Sequence, residues 1–206
     1  AALRRPGRAR RPLSPLLGRL ALVSFLTTLA FVGFESTFSL FGRARFDLTE
    51  GSASFVFLGI GIVLVVVQGM LFGRVIGALG VQRLYPLALV LVVVGLGLVG
   101  AATTWAVLVP ALVVLSLGQG VASPSLTELV HRAAPAARRG EAMGFQQSAT
   151  AVARVVGPPL AGLLFDRLGE WSPMVAGAAI TLVALVVLVS WRLHRTPSAD
   201  MTPAAV

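Results

Sequence analysis

Two charged side chains interrupt long segments that are otherwise uncharged, and they are the first candidates for chemistry. Glu35 lies in residues 20–41, and Arg154 is the one charged group in residues 142–165. Each segment can cross a bilayer as a helix, at about 1.5 Å per residue against a hydrocarbon core of about 30 Å. Charges at membrane depth are costly and mark substrate or ion pathways. Glu35 is therefore a candidate proton carrier or contact for a cationic substrate, and Arg154 a candidate substrate contact.

Both charges also have structural interpretations, which the sequence leaves open. Glu35 and Arg154 lie about 22 and 18 Å from the inner ends of their segments, so they could form an ion pair that locks two helices. Glu35 could instead be a carboxylate near the outer surface. Arg154 lies close to Gly157 and Pro158, where a bend could hold it as a fixed structural partner.

Neutral hydrogen-bonding side chains at membrane depth form a second set of candidates. Thr28 shares a helical face with Glu35 at a period of 3.6 residues. The others are Gln119, Gln146, Gln147 and Ser148. In a mainly apolar pocket, a few such groups fix the orientation of a ligand. They can equally bond between helices, at about 1 kcal/mol each.

Catalysis finds little support in these residues. The sequence has no cysteine, no lysine, and no spacing of His, Asp and Glu typical of a metal site. It lacks a phosphate-binding loop, which ends in Gly-Lys, and a Gly-x-Ser-Gly motif paired with a membrane histidine. We therefore expect no enzymatic activity, no cofactor, no metal and no ATP hydrolysis by this chain.

The composition is that of a membrane protein. Of the 206 residues, 56% are hydrophobic and 12% are charged, and the mean hydropathy is +0.89, whereas a soluble domain has about 25% charged residues. We predict an all-α membrane protein whose bundle covers residues 20–191. The six predicted spans are 20–41, 54–72, 84–102, 105–130, 142–165 and 173–191. Residues 1–19 should form a cytoplasmic linker, and residues 192–206 a disordered cytoplasmic tail.

The arginines indicate which side of the membrane holds the termini. Six spans place both termini on one side, and positive residues are enriched on the cytoplasmic side. With the termini inside, 13 of the 17 arginines fall in inner segments: Arg4, Arg5, Arg8, Arg10, Arg11, Arg19, Arg74, Arg83, Arg132, Arg138, Arg139, Arg192 and Arg195. The net charge of +9 is therefore a topology signal, and no nucleic acid partner is needed. We expect a multi-pass protein of the inner or plasma membrane with cytoplasmic termini.

The chain overlays on itself at an offset of 89 residues. Residues 73–80 read GRVIGALG and residues 162–169 read GLLFDRLG, each at the end of a span. The same offset carries the first three spans close to the last three. Because three is an odd number, the two copies have opposite orientations. Two inverted three-helix repeats are the architecture of secondary transporters.

The layout and several motifs resemble the C-terminal six-helix half of a major facilitator superfamily transporter. Within that superfamily the chain is similar to bacterial drug–proton antiporters. The matching segments are QGMLFGRVIGALGVQRL (68–84), GQGVASPSLTELVHRAAPAARRGEAMG (118–144) and SATAVARVVGPPLAG (148–162). The resemblance implies alternating access around a central site, a missing N-terminal six-helix half, and residues 1–19 as the end of the central loop. The chain begins with Ala rather than Met, so we expect a piece of a longer protein.

The resemblance also implies a gate at the inner ends of the spans. The family's cytoplasmic motif is kept at Gly73, Arg74, Gly80 and Arg83, while Gly77 and Ala78 replace its Asp and Arg. Glu128 should meet Arg74, Arg83 or Arg139 there, unless it forms only a surface salt bridge. Small residues and a proline predict close packing of the fifth span: Gly144, Gly157, Pro158 and Gly162.

Together these patterns predict transport of a small molecule by alternating access. The expected reaction is efflux of a drug-like or amphipathic compound in exchange for protons. One alternative is the six-helix membrane subunit of an ATP-driven two-component transporter, since EAMG (141–144) resembles the coupling-loop motif of such permeases. Another is a membrane scaffold without transport.

Overall fold

A computed structural model describes residues 15–193, and within that range the chain is helical without strands. A π-helical turn, Val67–Leu71, joins α2 to α3, so the two form one rod. A 3₁₀ turn, Ala136–Arg138, precedes α6. The helices are α1 (Pro15–Phe46), α2 (Glu50–Val66), α3 (Phe72–Leu79), α4 (Val81–Ala101), α5 (Trp105–Ala133), α6 (Arg139–Leu168) and α7 (Ser172–Leu193).

Six rods in the described range are long and apolar enough to cross a membrane. Each of the six spans proposed from the sequence lies within one of these rods or ends one residue beyond it, at Ala102. The longest helices extend well past the hydrocarbon, since 32 residues of α1 measure about 48 Å. Helix α1 also begins at Pro15, inside the proposed linker, because a proline is tolerated in the first turn of a helix. The remainder of that linker, and the tail from residue 194, lie outside the described residues.

The helix contacts have the pattern expected of an inverted repeat. Exchanging α1 with α5, the α2–α3 rod with α6, and α4 with α7 turns one triplet into the other. The packing of α1 on α6 then corresponds to that of α5 on α2, and the packing of α1 on α7 to that of α5 on α4. The contact between α4 and α7 maps onto itself. The inverted three-helix repeat is therefore confirmed.

Two pairs of close contacts reproduce the 89-residue offset almost residue by residue. A Cβ atom built on Gly177 of α7 would lie 3.2 Å from the carbonyl oxygen of Ala30. The offset carries this pair to residues 88 and 119, and the structure has Gly118 at 3.0 Å from the carbonyl oxygen of Ala88. In the second pair, Gly157 faces Val32, and Gly120 faces Val67. The two contacts of each pair join equivalent helices of the two repeats. The glycine, however, lies on one of these helices in the first contact and on the equivalent of the other helix in the second contact.

The buried residues form two layers along the membrane normal. One cluster, centred on Phe34, Phe38 and Leu96, joins α1, α4, α5 and α7 toward the end of the bundle at which α1 terminates. The other includes Val23, Tyr85 and Val130, toward the end at which α1 begins. We call the second end the arginine-rich end, and the first the outer end, because the arginine distribution predicts that it faces the cell exterior. The rings of the fully buried Phe34 and Phe38 contact each other in a tilted arrangement, with centroids 5.2 Å apart, so they serve packing.

The second rod of each triplet is the most open. Of the apolar stretch with which each rod could span a membrane, 11% is buried in the α2 rod and 17% in α6, against at least 39% in each of the other four rods. Large apolar side chains on these two rods face outward, with Phe55 and Val155 about three-quarters exposed. Because both positions are related by the repeat, the six-helix bundle leaves two equivalent faces uncovered.

Candidate functional site

Helices α1 and α6 run in the same direction and carry the charged candidates. Gly157 of α6 faces Val32 of α1, with a Cβ atom 3.2 Å from Val32 Cγ1, and Gly33 faces Ala161 at 3.5 Å. This register places Arg154 level with Thr28. Glu35 lies about two helical turns further toward the outer end, roughly 10 Å away.

This register corrects the expectation that Glu35 and Arg154 are at comparable depth. No ion pair joins the two side chains in the part of the chain that the structure describes. Counting residues from the ends of hydrophobic segments gave the wrong relative depth because the register of two packed helices is set by the residues that touch, here Gly157 and Val32, and not by segment length. The two charges are thus separate features of the bundle and do not lock the helices together.

The candidates on these two helices nevertheless point to one side. Given the contact line through Val32, Gly33, Gly157 and Ala161, the helical period of 100° per residue fixes the direction of the remaining positions. Thr28 and Glu35 project from α1 nearly perpendicular to the line between the helices. Gln147 and Arg154 project from α6 in that same direction. We call these four residues, Thr28, Glu35, Gln147 and Arg154, the polar face of the α1–α6 pair.

Arg154 is the most demanding member of the polar face. It stands midway along the 30 residues of α6, about 22 Å from either end. Its side chain is exposed on the bundle surface, beside the exposed Val155, while Ala153 is buried against the bundle. An arginine at this depth cannot reach the headgroups and is unfavourable in hydrocarbon. In a bilayer, an exposed arginine at this position favours contact with water or with another protein over contact with lipid tails.

The remaining polar candidates are distributed differently. Ser148 is exposed on α6 and donates a hydrogen bond to the Gly144 carbonyl at 3.0 Å. Gln146 is buried, and its Oε1 has no hydrogen-bond partner in the described structure. Gln119 is half-buried on α5 between Gly118, which faces α4, and Gly120, which faces the α2 rod. The structure does not bring Gln119 to the polar face.

The small residues of α6 divide into two groups. Gly157 packs against α1, and Pro158 is half-buried within an uninterrupted helix. A Cβ atom on Gly144 or Gly162 would meet no atom within 4 Å in the described structure. These two glycines therefore make no close contact inside the six-helix bundle.

The residues expected to form a gate lie at the arginine-rich end of the bundle, and Glu128 has a different partner from the expected one. Glu128 accepts a hydrogen bond from Arg132 at 2.6 Å, one turn along its own helix. This corrects the expected partners Arg74, Arg83 and Arg139 and agrees with the alternative of a surface salt bridge, because residues four apart on one helix are neighbours. Arg74, Arg83 and Arg139 are exposed.

The glycines of this region have distinct surroundings. Gly80 separates α3 from α4 with a φ of 72°, a left-handed conformation that favours glycine. Gly73 lies in α3, where a Cβ atom would meet nothing within 4 Å in the described structure. The gate motif thus contains one glycine that the backbone requires.

Sequence reasoning missed two kinds of residue. Tyr85 and Ser125 are fully buried; the Ser125 hydroxyl oxygen has no hydrogen-bond partner within the described residues, and the Tyr85 hydroxyl lies close to the side chain of Thr27 on α1. Tyr85 is the one tyrosine of the chain, which could have drawn attention to it. The packing glycines Gly95, Gly118 and Gly177 were also missed, although the repeat offset relates the contact of Gly177 with Ala30 to that of Gly118 with Ala88.

Comparisons with known proteins identify relatives that share this fold. Residues 20–206 match the family model of the Major Facilitator Superfamily. The chain is 25% identical over 195 residues to Multidrug resistance protein 2 of Bacillus subtilis, covering 93% of this chain and 48% of that protein. The structure resembles the crystal structure of the human organic anion transporter MFSD10 (TM-score 0.79, 27% identity), covering 87% of this chain and 42% of that one.

A more distant structure shares only the fold. The peptide transporter POT in complex with sulfate superposes with a TM-score of 0.76 at 17% identity, over 85% of this chain and 37% of that one. The chain spans about half the length of the relatives it matches, or somewhat less.

Proposed function

Since the chain belongs to the Major Facilitator Superfamily, a family of membrane transporters rather than enzymes, we propose that it forms half of a transporter working by alternating access. The cargo is a small molecule, and the polar face of the α1–α6 pair lines its pathway. Membership gives no support to an ATP-driven permease subunit or to a scaffold without transport.

The observation that carries this proposal is the exposed Arg154 at mid-depth. In a bilayer its guanidinium requires water, an anion or a partner. Thr28, Glu35 and Gln147 project to the same side, so together with Arg154 they form a strip of polar groups spaced about 10 Å apart along each helix. A strip of few polar groups among apolar side chains suits a ligand that is itself amphipathic.

A second six-helix half completes the pathway. The α2 rod and α6 are open at equivalent positions of the two repeats, as expected of helices that pack on another bundle. Gly144 and Gly162 on α6, which touch nothing within this bundle, would allow close approach of that half. The chain's relatives are about twice its length, which leaves room for it.

The proposed reaction is efflux of a drug-like or amphipathic compound in exchange for protons, with Glu35 as the proton carrier. Glu35 is exposed at the outer half of α1 beside Ser36, so it can exchange protons with a hydrated cavity. The relative named for multidrug resistance supports this substrate class. The arginine distribution supports cytoplasmic termini in the inner or plasma membrane.

Arg154 favours a second candidate, in which the cargo is an organic anion. It is the one cation on the polar face, and a relative of 27% identity is described as an organic anion transporter. A guanidinium binds a carboxylate or sulfonate through paired hydrogen bonds. The two candidates differ in the charge of the substrate and not in the pathway.

Transport assays on the complete protein test the proposal. In everted membrane vesicles, a proton gradient should drive uptake of a fluorescent amphipathic cation or of a fluorescent organic anion. A protonophore should abolish that uptake while ATP is maintained. Uptake that survives the protonophore and requires ATP would contradict gradient-driven transport, and the charge of the accepted probe decides between the two substrate classes.

A further inference from the structure

A cavity of a size suited to a ligand lies away from the polar face. It is a cleft of about 590 Å³ at the arginine-rich end, between the ends of α1, α4, α5 and α7. Its rim carries Arg19, Gln82, Arg83 and Arg132, and its wall is formed by apolar side chains that include Leu20 and Val187. We call it the basic cleft. Its volume is within the range of about 300–1,000 Å³ that is typical of ligand sites.

The charges of the basic cleft are largely uncompensated. Arg132 pairs with Glu128 at 2.6 Å, but no ion pair of Arg19 or Arg83 is present among the described residues. Both of these side chains are exposed. Three guanidinium groups at one rim, of which only that of Arg132 is paired with a carboxylate, form a site for an anion with several acceptor oxygens.

The wall of the cleft narrows the choice of anion. The wall consists of the apolar side chains of Leu16, Leu20, Val23, Leu129 and Leu188. Binding of a small hydrated ion would bury little of this apolar surface. A lipid with an anionic headgroup satisfies both parts, with the phosphate at the arginines and an acyl chain along the apolar wall. Basic pockets between transmembrane helices recognise lipid headgroups in this way. We propose that the basic cleft binds an anionic phospholipid.

Other occupants fit the charge less well. Residues 1–14, which precede α1, carry Arg4, Arg5, Arg8, Arg10 and Arg11 and no acid, so they would be repelled by the rim. A neutral phospholipid offers no net charge to three arginines. This proposal does not depend on the transported substrate, because the cleft shares no residue with the polar face.

Lipid binding to the complete purified protein tests the proposal. Native mass spectrometry would compare phosphatidylglycerol with phosphatidylcholine of the same acyl chains. We expect at least tenfold tighter binding of phosphatidylglycerol. Because each arginine near an anionic headgroup contributes on the order of a fivefold change in affinity, the double variant Arg19→Gln with Arg83→Gln should weaken that binding by about 25-fold.

The matched control removes the same charge at the same end of the bundle. Arg74 and Arg139 are exposed and lie outside the cleft, so Arg74→Gln with Arg139→Gln should keep phosphatidylglycerol binding within about twofold. Equal losses in the two double variants would show general attraction to the basic end and would overturn the site. No preference for phosphatidylglycerol in the unmodified protein would do the same.

Two further arms keep the result interpretable. Glycerol phosphate at millimolar concentration should leave bound phosphatidylglycerol in place, and displacement would indicate a small-anion site instead of a lipid site. If the arginine variants fail to fold, Val187→Trp fills the apolar wall without changing charge. That variant should lose phosphatidylglycerol, and unchanged binding would contradict the proposal.

Discussion

Gly95 of α4 lies directly against the backbone of Leu115 on α5. A Cβ atom built on Gly95 would come within 2.7 Å of both the nitrogen and the Cα of Leu115, closer than real atoms approach. Two residues further along α4, a Cβ atom on Gly97 would meet nothing within 4 Å in the described structure. The two glycines are alike in sequence and differ in what they touch.

This difference gives a matched pair of variants. Gly95→Ala forces the backbones of α4 and α5 apart, so we expect it to destabilise the protein by about 1–3 kcal/mol. Gly97→Ala should be neutral or slightly stabilising, by less than about 1 kcal/mol, because alanine is the better helix former. Thermal unfolding of the purified protein, followed by size-exclusion chromatography, measures both. Equal stabilities would contradict the packing of these helices.

The register of α1 against α6 can be tested with cysteines, since the chain contains none. The Cβ positions of residues 33 and 161 are 3.5 Å apart, within the range of about 3.5–4.5 Å that disulfides adopt. Gly33→Cys with Ala161→Cys should therefore cross-link on mild oxidation. The pair Glu35→Cys with Arg154→Cys should not, because those positions are about 10 Å apart along the helix axes.

Cross-linking is read as a shift in electrophoretic mobility after proteolysis between the two helices. A cross-link between positions 35 and 154, with none between 33 and 161, would restore the comparable depth that the sequence suggested. It would also reopen the possibility of an ion pair between Glu35 and Arg154.

Much of the fold follows from the sequence because hydropathy and charge act over whole segments. Six apolar segments and an 89-residue offset predict six helices in two inverted triplets, and the contacts between α1, α5, α6 and α7 have that arrangement. Helix ends are less predictable. The hydrophobic segment of α1 ends where the chain reaches the membrane surface, whereas the backbone hydrogen bonds continue the helix on both sides, from Pro15 to Phe46.

Relative positions of side chains could not be predicted from the sequence. The depth of Glu35 relative to Arg154 depends on where Gly157 touches Val32, which is a property of packing and not of segment length. The partner of Glu128 depends on which side chains lie within reach of its carboxylate, and the structure pairs it with Arg132, one turn away on the same helix. The sequence identified the polar residues of α1 and α6, and only the structure showed that four of them face one side.

Glu35 should be needed for proton coupling. Glu35→Gln keeps the size and hydrogen-bonding capacity of the side chain but cannot carry a proton. We expect proton-driven flux to fall at least tenfold while membrane expression changes less than twofold, as one pathway carboxylate with a direct role would require. The control Asp166→Asn, at the exposed outer end of α6, should keep its flux. Normal flux in Glu35→Gln would remove this residue from the mechanism.

Arg154 should discriminate substrates by charge. If it contacts an anionic cargo, Arg154→Gln should raise the KM for an organic anion by about 10-fold or more, as expected for a lost charge-assisted hydrogen bond. Arg154→Lys should recover part of that loss, because it restores the charge without the planar fork. Arg167→Gln, at the exposed outer end of α6, serves as the control. Equal effects on cationic and anionic probes would indicate a structural role.

The sidedness of the bundle is a separate prediction. With cytoplasmic termini, cysteines replacing Arg74 or Arg138 should react with an impermeant maleimide in everted vesicles and not in intact cells. A cysteine replacing Arg167 should react in intact cells. Labelling of positions 74 and 138 from outside would reverse the proposed topology.

The polar face of the α1–α6 pair is proposed to line the substrate pathway, and solvent access at Gln147 tests that proposal most directly. We expect a cysteine at position 147 to react with a charged, impermeant methanethiosulfonate and to be protected by transported substrate. A cysteine replacing Val186, an exposed apolar residue of α7, should stay unreactive because it faces lipid. Unreactive cysteine at position 147, or reaction that substrate does not slow, would contradict a substrate pathway on this face.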